Sequence, residues 1–179
     1  SIKEFTIEAN PGEAPKKRLE NFLKFGINRL SIGVQSLNPN ILKFLTRVHS
    51  PHEVFRIFQN ARNVGFKNIN CDLMYSIPNQ SWNTWDKDLK EIIRLKPDHI
   101  SAYTLTSEKG TQLFRLIKEK KITMPPNEQK SKWFLDTRDI LESNYFIPYE
   151  ISNFSKKGYE CQHNLNYWKI RPYIGYGPS

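Results

Sequence analysis

Cysteine is scarce: Cys71 and Cys161, far apart, are all that the 179 residues contain. They exclude a disulfide-stapled scaffold and an all-cysteine metal site within the chain. No run of ~18 apolar residues occurs, so no transmembrane helix is expected. No G-x-G-x-x-G follows any apolar run, which removes the dinucleotide-binding fingerprint. Internal repeats, low-complexity tracts and long linkers are also missing. What is present is 13% aromatic and 25% charged residue, a balance that excludes disorder and fills a sizeable core. The expectation is a soluble, cytoplasmic α/β domain.

The chain is basic, 27 Lys+Arg against 18 Asp+Glu, a formal +9. A nucleic-acid footprint would interleave bases with aromatics along a stripe. Most of the excess instead lies between Lys109 and Arg138. There the segment Thr111–Lys121 sets Leu113, Leu116 and Ile117 on one face and Arg115, Lys118 and Lys121 elsewhere. That is the pattern of a solvated helix face. A basic RNA-binding module is the weakest functional class, since no RNP-type or KH-type motif appears, and no nucleic-acid partner is expected.

Apolar bursts at Ile2–Ala9, Arg29–Val34, Asn68–Tyr75 and His99–Leu105 read as strands. Helical spacing follows each of the first three: Pro15–Phe25 closed by Gly26, Pro39–Leu45 capped by Asn38, Ser50-Pro51 to Gly65, and Trp82–Leu95. Strand alternating with helix is the signature of a parallel sheet, here a complete or partial barrel. After Leu105 the rhythm breaks into two basic helices (about 111–121 and 127–143), a short strand at Pro148–Asn153 and an aromatic, glycine-punctuated tail. The expected organisation is a partial barrel over 1–108 and an appendage over 109–179.

Reactive groups of parallel barrels project from the carboxyl ends of the strands. Glu8 ends the first strand and Gln35 follows the second. Asp72 lies on the third, and Tyr103 and Thr106 close the fourth. Acids and amides thus gather at one mouth while the strand bodies read as apolar, and Arg47 and His49 are in reach of it. Such a set can grip ribose hydroxyls through the acids and Gln35, and a carboxylate through Arg47. Each also has a plain structural reading: Glu8 and Asp72 pairing with bases across the barrel, Gln35 capping a turn, Arg47 on the surface, His99 satisfied at a strand end, Cys71 in the core. In the tail, Cys161-x-His163 has no partner ligands at zinc-site spacing. His163 among Tyr159, Tyr167, Trp168 and Tyr173 either plugs the barrel through a buried His–Asn bond or ligates a haem iron, with Lys156, Lys157, Lys169 and Arg171 near the propionates.

Several motifs carry a resemblance. Glu8-x-Asn10-Pro11, Asn28-Arg29-Leu30-Ser31-x-Gly33-Val34-Gln35-Ser36, Arg47-x-His49 and Asn70-x-Asp72-Leu73 resemble the oxygen-independent coproporphyrinogen III oxidase family of radical SAM proteins. Ser101-x-Tyr103-x-Leu105, Gly110-Thr111, Tyr149–Asn153 and His163-Asn164-x-x-Tyr167-Trp168 are similar to its haem-chaperone (HemW) branch. The resemblance implies a partial (β/α)6 barrel binding S-adenosylmethionine beside a [4Fe–4S] cluster. Glu8, Gln35, Arg47 and Asp72 match the family's S-adenosylmethionine contacts, and Thr106 matches a further one. The implied chemistry is reductive cleavage of the sulfonium to a 5′-deoxyadenosyl radical. The implied cargo is haem or porphyrin, with a haem-accepting protein as partner, peripheral membrane association and His163 as the candidate haem ligand. A true coproporphyrinogen oxidase, turning two propionates into vinyls, is the enzymatic alternative.

Two departures stand out. Ser76 and Asn79 occupy positions where the family usually has glycine, so any positive φ there carries a steric cost. The three cluster cysteines and the Gly-Gly-Thr-Pro turn normally lie upstream of Ser1, and Tyr176-Gly177-Pro178-Ser179 stops inside a family motif. The chain therefore reads as an internal fragment that holds no metal ligands and is inactive alone.

Overall fold

The computed structural model describes residues 2–177; Pro178 and Ser179, the end of the tail motif, lie outside the described residues. Local sequence rules place the helices. Asn38 accepts from the backbone of Asn40 and Ile41 to start α2 (Pro39–Phe44). Ser50 and Glu53 form a capping box around Pro51 at the start of α3 (Pro51–Val64), and Gly65 ends it in the left-handed region at φ 113°. The other helices of the first half are α1 (Lys16–Lys24) and α4 (Trp82–Arg94).

Between them run β1 (Thr6–Ala9), β2 (Arg29–Gln35), β3 (Ile69–Tyr75) and β4 (His99–Thr104), all parallel in the order β1-β2-β3-β4. Then come α5 (Gln112–Lys118), α6 (Asn127–Ser143), β5 (Ile147–Pro148), β6 (Asn153–Ser155) and α7 (Gln162–Trp168). The strand β6 lies antiparallel beside β4 and carries β5, giving a six-stranded mixed sheet. This is a partial α/β barrel.

Alternate strand residues face opposite ways. Leu30, Ile32, Val34, Ile69, Cys71, Leu73, Ile100 and Ala102 pack with Val54, Ile57, Phe58, Leu89 and Ile92 of the helices. Trp85 stacks on Tyr75 at 4.9 Å, and its indole N–H donates to Thr137 Oγ1 at 2.7 Å. That bond ties α6 to the barrel, and Trp133, Leu141, Phe146 and Phe154 complete the same core. The bases Arg115 and Lys118 of α5 stand exposed while Leu113, Leu116 and Ile117 are half-buried, a solvated face as the spacing predicts.

Three segments differ from the sequence reading. The first strand starts at Thr6, not Ile2, because the Asn28 side chain accepts from Phe5 N (2.8 Å) and donates to Lys3 O (3.0 Å), replacing strand pairing there. The single strand expected at 148–153 is a hairpin. Its turn is closed by Ser152 N donating to the Glu150 carboxylate at 2.8 Å and by Tyr149 N to Asn153 O. The tail contains a helix, α7, that no local signal announces. Its first amides are received by Glu4, at the other end of the chain: Gln162 N at 3.0 Å and His163 N at 3.3 Å.

Candidate functional site

The inner face of the sheet is polar along its length. Thr6 and Glu8, Arg29 and Ser31, Asn70 and Asp72, Ser101 and Tyr103, and Asn153 share one parity and line a cleft of about 380 Å3, which Glu4, Cys161, His163 and Asn164 border. The strand bodies are thus not apolar on both faces, as the sequence reading had them. Period-two alternation in Arg-Leu-Ser-Ile and Asn-Ile-Asn-Cys-Asp-Leu is the signal that finds this face.

Asp72 is held from two sides. Ser31 Oγ donates to Oδ2 at 2.8 Å and Asn70 Nδ2 donates to Oδ1 at 2.7 Å. Burial, with the Arg29 charge adding to it, lowers the His99 pKa well below its usual value, so its imidazole is neutral. Its Nδ1–H then donates to Asn70 Oδ1 at 2.6 Å, and its Nε2 accepts from the Tyr149 hydroxyl at 2.7 Å. The Tyr149 oxygen in turn accepts from Cys161 N and Asn164 Nδ2, each at 3.3 Å. A chain of bonds therefore runs from α7 through Tyr149, His99 and Asn70 to Asp72. Burial of the Tyr149 phenol pushes its pKa up, so it remains a donor. His99 is the satisfied strand-end histidine of the structural reading, and Cys71 is core, its thiol pKa pushed up by burial.

The candidate residues fall into two groups and an outlier. Glu8, exposed, and Asp72, half-buried, meet on the cleft. Gln35 and Arg47 gather instead around Asn10, beyond the end of β1. Arg47 Nη1 donates to Asn10 Oδ1 at 3.1 Å, and Gln35, buried with φ 62°, follows a register shift in β2. A Cβ on Gly33 would come within 3.2 Å of Asn10 Oδ1 and 3.4 Å of Gln35 Nε2, so a larger residue there would push these amides aside by a few tenths of an ångström. Thr106 is exposed just beyond β4 and lines neither group. His49 does not face the mouth; it is buried, bonded to Val34 O at 3.1 Å, and its pKa is lowered by burial.

His163 stands exposed at the cleft border with its ring edge-on to Tyr167 at 4.8 Å, and Tyr167 meets Tyr173 at 4.5 Å. The buried His–Asn bond of the structural reading is replaced by Asn164 bonding Tyr149. Lys156 leaves the set of free bases, since it turns to Asp98 at 4.0 Å and to Lys96 O. Sequence reasoning missed Glu4, Arg29, Ser31 and Asn70 as parts of this site.

A sulfonium nucleoside fits this donor set: two carboxylates for hydroxyls, and a guanidinium with amides around a glycine cradle. A [4Fe–4S] cluster does not, because among the described residues no group of three His, Cys, Asp or Glu stands together to hold a metal.

The chain is 40% identical over 178 residues to a radical S-adenosyl methionine domain-containing protein 1, mitochondrial, of Danio rerio, covering 99% of this chain and 40% of that protein. It is 36% identical over 176 residues to the heme chaperone HemW of Bacillus subtilis (strain 168), covering 98% and 46%. The chain thus spans less than half the length of these relatives. The solved coproporphyrinogen III oxidase of Escherichia coli, described as a radical SAM enzyme, superposes with a TM-score of 0.75 over 93% of this chain and 38% of that one, at 24% identity. That likeness shows the barrel fold. The family model of the radical SAM superfamily matches residues 1–92, which hold β1, β2, β3 and most of α4, and the chain belongs to that superfamily.

Proposed function

We propose that this chain forms the S-adenosylmethionine-binding and haem-presenting part of a radical SAM haem chaperone. The observation that carries the reading is the Glu8–Asp72 pair on one open polar cleft, with Asp72 held by Ser31 and Asn70. Each Asp72 oxygen takes one internal donor and keeps a lone pair for a ligand hydroxyl. Glu8 supplies the second acceptor, and Gln35 and Arg47 take the amino-acid end. When bound, S-adenosylmethionine with a reduced cluster supplies one-electron sulfonium chemistry. The residues of this chain bind and orient the nucleoside, and no step through the cluster follows from them.

The second ligand is haem. His163, exposed and flanked by Tyr167 and Tyr173, presents an imidazole beside flat aromatic surface, with Lys157 and Lys169 exposed nearby for propionates. A haem-accepting protein would take the cargo from this exposed edge. At full length the chaperone would be cytoplasmic, with peripheral membrane association. No helix among the described residues is long and apolar enough to cross a membrane. Calorimetric titration of S-adenosylmethionine into the full-length protein tests the reading. Glu8→Gln and Asp72→Asn should each weaken binding roughly tenfold or more, the worth of one hydrogen bond to a charged group. Unchanged affinity in both folded variants would overturn it.

A further inference from the structure

Arg29 is 4% exposed on the inner face of the sheet, yet its Nε–H has no hydrogen-bond partner and no carboxylate of the described residues lies within 4.0 Å of it. A buried guanidinium without a counter-charge is destabilising, and proteins rarely keep one. No neighbouring carboxylate makes an ion pair with Arg29. Asp72 is engaged by Ser31 and Asn70, and the Glu4 carboxylate by the amides of Gln162 and His163. Glu8 sits two residues further along β1, level with Ser31 rather than Arg29. His99, the closest titratable group on β4, is neutral.

Other unpartnered groups face the same space. Thr6, whose Cα is the register partner of Arg29, has a buried hydroxyl without a bond, and the amide oxygen Oδ1 of Asn153 on β6, an acceptor, is also unpartnered. Both line the cleft. An arginine N–H and a threonine O–H lining one polar cavity are donors for an anionic oxygen group, and a carboxylate is the one that the proposed ligands carry.

We propose that Arg29 and Thr6, at the amino-terminal end of β1 and β2, form a carboxylate subsite of the cleft, separate from the Gln35–Arg47 group at the opposite end of the strands. The carboxylate is a propionate of a porphyrin, because the methionyl end of S-adenosylmethionine goes to Gln35 and Arg47 at the other end of the strands. Naming the porphyrin rests on the proposed function, whereas the propionate measurement below tests the subsite without it.

The first measurement uses sodium propionate as probe, with sodium chloride at equal ionic strength as control, on the full-length protein and on Arg29→Gln and Arg29→Lys. Propionate should raise the wild-type thermal midpoint beyond the chloride control, and Arg29→Gln should abolish the difference. Without ligand, Arg29→Gln should melt no lower than wild type, because it removes an uncompensated buried charge. A propionate effect equal to chloride in the wild type would overturn the subsite, as would an effect that survives in Arg29→Gln. A strongly destabilised Arg29→Gln, with Arg29→Lys retaining the wild-type melt and no propionate effect, would make Arg29 a structural charge and also overturn it. The second measurement assigns the source. Arg29→Gln should weaken iron-free coproporphyrin at least about tenfold and leave its tetramethyl ester unchanged, and an equal loss for both would overturn the propionate as the source. Because the porphyrin carries no iron, loss of His163 ligation cannot imitate this result.

Discussion

The Glu4 carboxylate accepts the backbone N–H of Gln162 at 3.0 Å, across 158 residues of sequence, and thereby caps α7. The helix has no cap of its own, since Cys161 at the N-cap makes no side-chain bond to it. A carboxylate at a helix start satisfies orphan amides and meets the positive end of the helix dipole. The same contact stations His163 beside the cleft.

Glu4→Ala should therefore free α7 while leaving the barrel intact. The expected cost is about 1 kcal/mol, the usual worth of a cap, with faster amide exchange confined to residues 162–165. Exchange unchanged at those amides would show that Tyr149 and Asn164 hold the helix without Glu4.

How much of this was legible in the sequence depends on the range of the forces. Helix α3 could be read because Ser50, Pro51, Glu53 and Gly65 act within the helix itself. The parallel order of β1–β4 followed from strand–helix alternation. Helix α7 could not be read, because its cap comes from Glu4. The hairpin of β5 and β6 was hidden because one short strand and two short arms share the same apolar pattern. Glu8, near the end of β1, and Asp72, on β3, were singled out as acids facing one barrel mouth, and both line the cleft. Arg29, Ser31 and Asn70 were passed over because the apolar half of each strand masked the polar half.

The neutral His99 makes stability fall in acid. Its folded pKa lies below its unfolded value near 6.5, so the unfolded chain takes up the proton first. No stability is lost above pH 6.5, and the loss accumulates as pH falls from there towards the folded pKa. Its slope approaches about 1.4 kcal/mol per pH unit for one such histidine. His49, also lowered, adds to it. Urea midpoints at pH 7.5 and 5.5 should fall further apart in wild type than in His99→Gln; equal falls would mean His99 is protonated when folded.

Ser76 and Asn79 adopt φ 57° and 62°, the left-handed region that glycine accepts freely. Ser76 is also fully buried with an unpartnered hydroxyl. Releasing the left-handed strain of about 1–2 kcal/mol outweighs the backbone entropy glycine loses, about 0.5–1 kcal/mol. Ser76→Gly should raise stability by roughly 1 kcal/mol, and Asn79→Gly by less because asparagine tolerates this region. Thermal melts that show Ser76→Gly below wild type would mean that the hydroxyl has a partner in solution.

The exposed position of His163 sharpens the haem test. Its ring lies edge-on to Tyr167 and makes no buried bond, so His163→Ala removes little that holds the fold. Exposed substitutions of this kind usually stay within about 0.5 kcal/mol. The thermal midpoint of His163→Ala should thus match wild type, whereas haem affinity should drop and the Soret band should shift as the iron loses its imidazole. Had His163 been the buried plug, both stability and haem binding would fall together. Parallel haem titrations and melts of the full-length protein and His163→Ala separate the two. A stable variant with unchanged haem affinity and an unchanged Soret band would remove His163 as the ligand and turn attention to the phenols of Tyr167 and Tyr173.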